Sequence, residues 1–165
     1  MVKKLSILLV ALLAVAGCGG DDDSTSAPAR TTAEKPMKQE REPMKSPEGT
    51  TITVGESEFG DMLFDSNEQA IYIFENDPPG ESVCYDECAE AWPPVLTKGE
   101  PTPAKGVDES LIGTVERRDG TTQVTYNDQP LYFYAHEGPG EVRCHNVNLN
   151  GGLWWVVGPD GNRRP

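Results

Sequence analysis

The sequence predicts an all-β fold: a small domain of two pseudo-repeated antiparallel β units with one short helix over residues 84–92. Three observations predict it. The first is a repeat at an offset of sixty residues. Asn67-Glu68-Gln69-Ala70-Ile71-Tyr72-Ile73-Phe74 reads again as Asn127-Asp128-Gln129-Pro130-Leu131-Tyr132-Phe133-Tyr134, Pro79-Gly80-Glu81 as Pro139-Gly140-Glu141, and Cys84 as Cys144. One supersecondary unit is therefore used twice. The second is the alternation of apolar and polar residues in short runs, with turn signals about every ten residues. The third is a single break in that rhythm, where spacings of four put Cys84, Cys88 and Trp92 on one face of a helix.

Each element follows in order. Thr51-Ile52-Thr53-Val54 opens as a strand. Residues 61–64 lead into the turn Asp65-Ser66-Asn67-Glu68, and residues 70–74 return. The helix comes next, stopped by Pro93 and Pro94. Residues 97–106, rich in Pro, Gly and Lys, read as a surface crossing. Residues 110–117 contain a strand closed by Arg118-Asp119-Gly120, and Asp-Gly between β runs is a strong hairpin signal. Residues 123–126 follow, then a tight turn at Asn127-Asp128, then the second aromatic strand over 129–134. Leu153-Trp154-Trp155-Val156-Val157 is the last strand, ended by Gly158-Pro159-Asp160-Gly161. The repeat units run roughly over 51–96 and 111–158 within a domain at 51–165.

The N-terminal third reads as targeting and tether. Lys3 and Lys4 precede an apolar run over residues 5–16, and Val15-Ala16-Gly17-Cys18 supplies small residues before a cysteine. This is a lipoprotein signal peptide over residues 1–17, with Cys18 as the lipidation site and palmitate-type acyl chains as its cargo. Two or three chains would hold firmly, since each buried CH₂ contributes roughly 0.8 kcal/mol. Residues 18–50 hold no aromatic residue and no periodic apolar face, so they read as a disordered tether. Its r.m.s. reach is about 30 Å. The expected location is outside the cytoplasm, at the membrane of a bacterial cell envelope.

Charge narrows the partners. The chain carries a formal −13, and loss of residues 1–17 removes Lys3 and Lys4 and takes it to about −15. Such a protein does not hold phosphate backbones electrostatically, so nucleic acid is not an expected partner. The only expected membrane contact is the lipid anchor.

Three domain cysteines remain in an oxidising compartment, where free thiols are unusual. A Cys84–Cys88 bridge is favoured, because a helical spacing of four sets Cα atoms about 6 Å apart. The rival is Cys84–Cys144, between equivalent repeat positions. Either leaves one odd thiol. His136, Cys144 and His145 are the candidate metal or redox residues, since thiolate with imidazole suits copper. Their spacing is no known ligand motif, and no cofactor is expected. The carboxylates Glu75, Asp77, Glu81, Asp86, Glu87 and Glu90 crowd the first repeat loop, as an acidic solvated face does. No phosphate-binding glycine loop is present, and a Ser-His-Asp triad, with only His136 and His145 available, is not the expected chemistry. The aromatics Tyr72, Phe74, Tyr132 and Tyr134 alternate, so each pair shares a face and fills core. Adjacent Trp154 and Trp155 must point to opposite faces, one into the core and the other outward, where it could stack on a sugar, a quinone or a partner protein.

These residues resemble a secreted or lipoprotein repeat family of unknown function. Tyr72-Ile73-Phe74-Glu75-Asn76-Asp77 matches its Tyr-x-(Phe/Trp/Tyr)-x-x-Asp hallmark, and Tyr132, Tyr134 and Trp154-x-Val156-Val157 continue the likeness across residues 51–165. The second copy departs from it at Glu137, where the hallmark has Asp, and at Cys144-His145. The resemblance implies an extracytoplasmic protein, usually lipid-anchored, and carries over no catalytic residue. The expected function is a non-catalytic binding or envelope-associated module whose ligand is unknown. The alternative is a redox or copper-handling lipoprotein using the domain cysteines and a histidine.

Overall fold

The computed structural model describes residues 49–165, which fall in the compact unit Glu42–Pro165. The signal peptide, Cys18 and nearly all of the tether lie outside the described residues. The strands are β1 (Thr51–Ser57), β2 (Gly60–Asp65), β3 (Tyr72–Phe74), β4 (Leu96–Thr97), β5 (Thr102–Pro103), β6 (Ile112–Glu116), β7 (Thr122–Tyr126), β8 (Gln129–Pro130), β9 (Val147–Leu149) and β10 (Gly152–Val156). One short α-helix, α1 (Glu87–Ala91), stands between β3 and β4. The fold is the all-β fold expected.

Three sheets form, in the orders β2-β1-β5, β3-β10-β9 and β4-β7-β6, with β8 on β7. The two hairpins β1–β2 and β6–β7 are the same unit used twice. Val54 faces Leu63 in the first and Thr114 faces Val124 in the second. Turn chemistry fixes both copies. Gly60 and Gly120 sit at positive φ of 86° and 80°, a conformation that only glycine adopts freely.

The repeats do not pack as two separate modules. Each sends its last strand to the other. Val156 of the second repeat pairs with Tyr72 of the first, and Pro94 of the first pairs with Tyr132 of the second. Tyr72 and Tyr132 exchange both backbone bonds, at 2.8 and 2.9 Å. Further out, the Leu63 amide donates to the Val157 carbonyl and the Val124 amide to the Val95 carbonyl. A pseudo-twofold axis therefore runs between the two tyrosines. Both apolar cores draw on both repeats. One centres on Trp92, Trp154, Tyr72, Tyr132 and Phe74, the other on Ile52, Leu63, Ile71, Val95, Val124 and Leu131.

Four local features differ from the sequence expectation. The helix occupies only the second half of residues 84–92. Asp86 has φ 53°, outside the helical region, and the Cys84 carbonyl accepts from Arg117 instead of continuing a helix. The second aromatic segment is a strand only at β8. Its remainder is tied to the other repeat, Phe133 N–H to Pro93 O and Ala135 N–H to Ala91 O. The surface crossing contains β5, which joins β1 in parallel. The strand β9 was not expected. It pairs with β10 across Asn150-Gly151, both at positive φ.

Candidate functional site

The hallmark tyrosines and acids meet across the pseudo-twofold axis. The Tyr132 hydroxyl donates to Asp77 Oδ2 at 2.7 Å, and the Tyr72 hydroxyl donates to Glu137 Oε2 at 2.8 Å. Each tyrosine thus bonds the acid of the opposite repeat. Each acid also holds its own loop. The Val83 amide donates to Asp77 at 2.8 Å and the Arg143 amide to Glu137 at 3.0 Å, sixty residues apart. Between tyrosine and acid the chain turns through Pro-Gly. Gly80 (φ 70°) and Gly140 (φ 73°) donate to the Asp128 and Glu68 carbonyls. Glutamate at 137 therefore serves where the hallmark has aspartate.

Around Asp77 the symmetry is broken by a buried cation. Arg117, 3% exposed, donates from Nη1 to Ser82 Oγ and Gln123 Oε1 at 2.6 Å each, and from Nη2 to the Cys84 carbonyl at 2.7 Å. Ser82 Oγ lies 2.7 Å from the Tyr132 hydroxyl. Because the Tyr132 proton goes to Asp77, Ser82 is the donor in that pair. A directed chain of hydrogen bonds thus runs from Arg117 through Ser82 and Tyr132 to Asp77, a buried ion pair spaced by two hydroxyls. Gln123 closes it by donating to the Leu131 carbonyl at 2.7 Å. Around Glu137 the equivalent positions are Val142 for Ser82 and, from the first repeat, Ser57 for Arg117, so Glu137 has no such relay.

Burial, the largest influence, raises the Asp77 carboxyl to about 6. The bonds from Tyr132 and Val83 and the Arg117 charge pull the other way. Burial likewise raises Glu137, Tyr72 and Tyr132, so both phenols stay protonated donors. A carboxyl raised in the folded state binds its proton more tightly than in the unfolded chain. The contribution of Asp77 to stability is therefore complete below its unfolded pKa and is lost as the pH rises through about 6.

Two clefts occupy equivalent places beside the two hairpins. One, of about 470 Å³, is lined by Ser82, Val83, Tyr85, Glu116, Arg117 and Arg118 among others. Its counterpart, of about 610 Å³, carries Glu56, Ser57, Glu58, Phe64, Glu68 and Val142. Arg118 and Arg117 lie over the Tyr85 ring at 3.7 and 4.2 Å, whereas the equivalent positions in the second cleft are Glu58 and Ser57. Duplication has left one cleft with two arginines and a tyrosine beside two glutamates, and the other with glutamates and no cation.

The other expected site residues are scattered. Cys84 and Cys88 form the favoured disulfide, with Cα atoms 5.3 Å apart. Its short loop puts its contribution at about 2 kcal/mol. Cys144 is the free, buried thiol at the position equivalent to Cys84, and burial raises its pKa. His136 is exposed, with its ring edge-on to Tyr134 at 5.4 Å. His145 packs on Phe59 at 4.2 Å, and its Nδ1 accepts from the Val156 amide at 3.4 Å. Among the described residues no group of three or more His, Cys, Asp or Glu side chains could hold a metal ion, so His136, Cys144 and His145 are not assembled as ligands. Of the tryptophan pair, Trp154 is buried and Trp155 is half-buried under Arg163. Sequence reasoning missed Arg117, Ser82 and Gln123. The one signal was the pair Arg117-Arg118 in an acidic chain, read only as the end of a strand.

A family model described as a secreted repeat of unknown function matches residues 53–96 and again residues 113–158. No curated protein matches the chain, and no solved structure does.

Proposed function

This chain belongs to the family of secreted repeats of unknown function, and we propose that it acts outside the cytoplasm as a non-catalytic binding module held to a membrane by lipid on Cys18. The observation that carries this reading is where the buried polar groups point. Asp77, Ser82, Arg117, Gln123 and Tyr132 bond one another, and Tyr72 donates to one oxygen of Glu137. These hydrogen bonds join the repeats, and neither Asp77 nor Glu137 lines either of the two clefts. What remains for partners is surface: two clefts, one of mixed charge and one acidic, and the sheet edges. The anchor rests on Val15-Ala16-Gly17-Cys18 after an apolar run, and no described helix is long and apolar enough to cross a membrane.

Fractionation tests the anchor. In cells fed labelled palmitate, the full chain is expected in the membrane fraction with label, and Cys18→Ser is expected to lose both label and membrane retention. A Cys18→Ser protein that stays labelled and membrane-bound contradicts the proposal.

A further inference from the structure

The two repeats differ most plainly at one sheet edge. In the first repeat the outer edge of β1 is completed by β5. The Ala104 amide donates to the Ile52 carbonyl at 2.8 Å, and the Val54 amide donates to the Lys105 carbonyl at 3.1 Å. Thr102 and Pro103 run parallel to Thr51 and Ile52. The donors are Thr102 and Ala104, so Pro103, which has no N–H, falls where none is needed. Lys105 then shares a cleft with Glu56 and Asp61.

The equivalent edge in the second repeat is β6, which pairs only with β7 among the described residues. The bonds Arg117 N–H to Thr121 O and Asn127 N–H to Leu111 O turn the odd-numbered positions towards β7. The Ile112 carbonyl and the Thr114 amide therefore face outward, as their equivalents Ile52 and Val54 do towards β5. Thr114 and Glu116 are exposed. Glu116 occupies the position of Glu56, the acid beside Lys105 in the completed edge.

We propose that β6 is a docking edge for an extended, proline-containing and lysine-bearing segment of another extracytoplasmic protein, which adds in parallel as β5 does to β1. The segment accepts from the Thr114 amide, donates to the Ile112 carbonyl, and places its lysine at Glu116. Backbone bonds supply the affinity and the lysine supplies the selection, as in strand addition generally. The acidic chain favours a basic segment over an acidic one. This inference rests on the binding-module reading and deepens it. Loss of the anchor in the palmitate experiment would leave β6 untouched, so the two fail separately.

The probe is a synthetic peptide copying residues 100–107, Glu-Pro-Thr-Pro-Ala-Lys-Gly-Val, added to the full chain in detergent micelles. Hydrogen exchange at residue resolution is expected to slow about tenfold at Thr114 near saturation, with Val54 unchanged. Replacing the peptide lysine by glutamate, or Glu116→Lys in the protein, is expected to weaken binding about threefold to fivefold. Thr114→Pro removes the docking amide and is expected to abolish binding, with the unfolding midpoint read alongside. Should that variant not fold, the Glu116→Lys comparison decides. No protection at Thr114 at millimolar peptide overturns the proposal. So does protection that appears at Val54 instead, or that rises with protein concentration alone as the edge of a second copy would produce.

Discussion

Replacing Arg117 by methionine is expected to lower the unfolding free energy by about 3–5 kcal/mol at pH 7. Methionine keeps the bulk of the stem and deletes the charge and all its donors. Ser82 Oγ, Gln123 Oε1 and the Cys84 carbonyl then lose a donor, and Asp77 keeps the bonds donated by Tyr132 and Val83 without a countercharge. Acid relieves part of the loss. The Asp77 carboxyl, already raised to about 6 by burial, rises further once the cation is gone. The deficit should therefore be largest at pH 7 and shrink by pH 5, where Asp77 takes up a proton. Urea titrations of the wild type and Arg117→Met at both pH values measure this. An Asp77→Asn double-mutant cycle isolates the coupling between the two ends of the relay. A deficit below about 1 kcal/mol, or one that grows on acidification, would mean that the relay does not hold the repeats together.

Trp154→Ala is expected to cost about as much, 3–5 kcal/mol, for a different reason. The Trp154 ring stacks on Trp92 at 3.8 Å with planes 1° apart and on Phe74 at 4.4 Å, and meets Tyr132 edge-on at 5.2 Å. Its Nε1 donates to the Leu149 carbonyl at 3.0 Å. Two of these four contacts, those to Trp92 and Phe74, cross between repeats, so the cavity would open at the join itself. Trp155→Ala is the matched control. One residue along the same strand, it points the other way and packs half-buried under Arg163 and beside His145. Its loss is expected to cost about 1 kcal/mol. Denaturant titration of the pair gives the contrast directly, and equal costs would contradict the placement of the core.

The sequence announced the repeat, and with it the hairpins, the turns at Asp119-Gly120 and Asn127-Asp128, and the short-range disulfide, because each depends on residues close together in the chain. It did not announce the exchange of terminal strands. Two copies of one unit present the same edge, so pairing within a copy and pairing between copies have the same local pattern. The single hint was the two hallmark acids, each too far along the chain from its own tyrosine ring to be assigned a partner by spacing. The short helix was overestimated because i,i+4 spacing cannot register that Asp86 takes a positive φ or that Arg117 claims the Cys84 carbonyl. The strand β9 was legible in principle, since Asn150-Gly151 is a strong hairpin signal. Arg117 was not, because nothing local to an arginine at a strand end distinguishes burial from exposure. The glutamate at 137 is the instructive departure: one added methylene still reaches the Tyr72 hydroxyl and the Arg143 amide.

Residues 49–108 and 109–165, produced separately, test most directly whether the copies complete each other. Near-ultraviolet circular dichroism through a urea titration is expected to find no cooperative transition in either half alone. Each half lacks the strand its tyrosine segment pairs with and half of the stacked tryptophan pair. Mixing the halves in equal amounts is expected to restore the aromatic signal and a single transition. A half that unfolds cooperatively by itself, with its own fixed aromatic signal, would contradict the account.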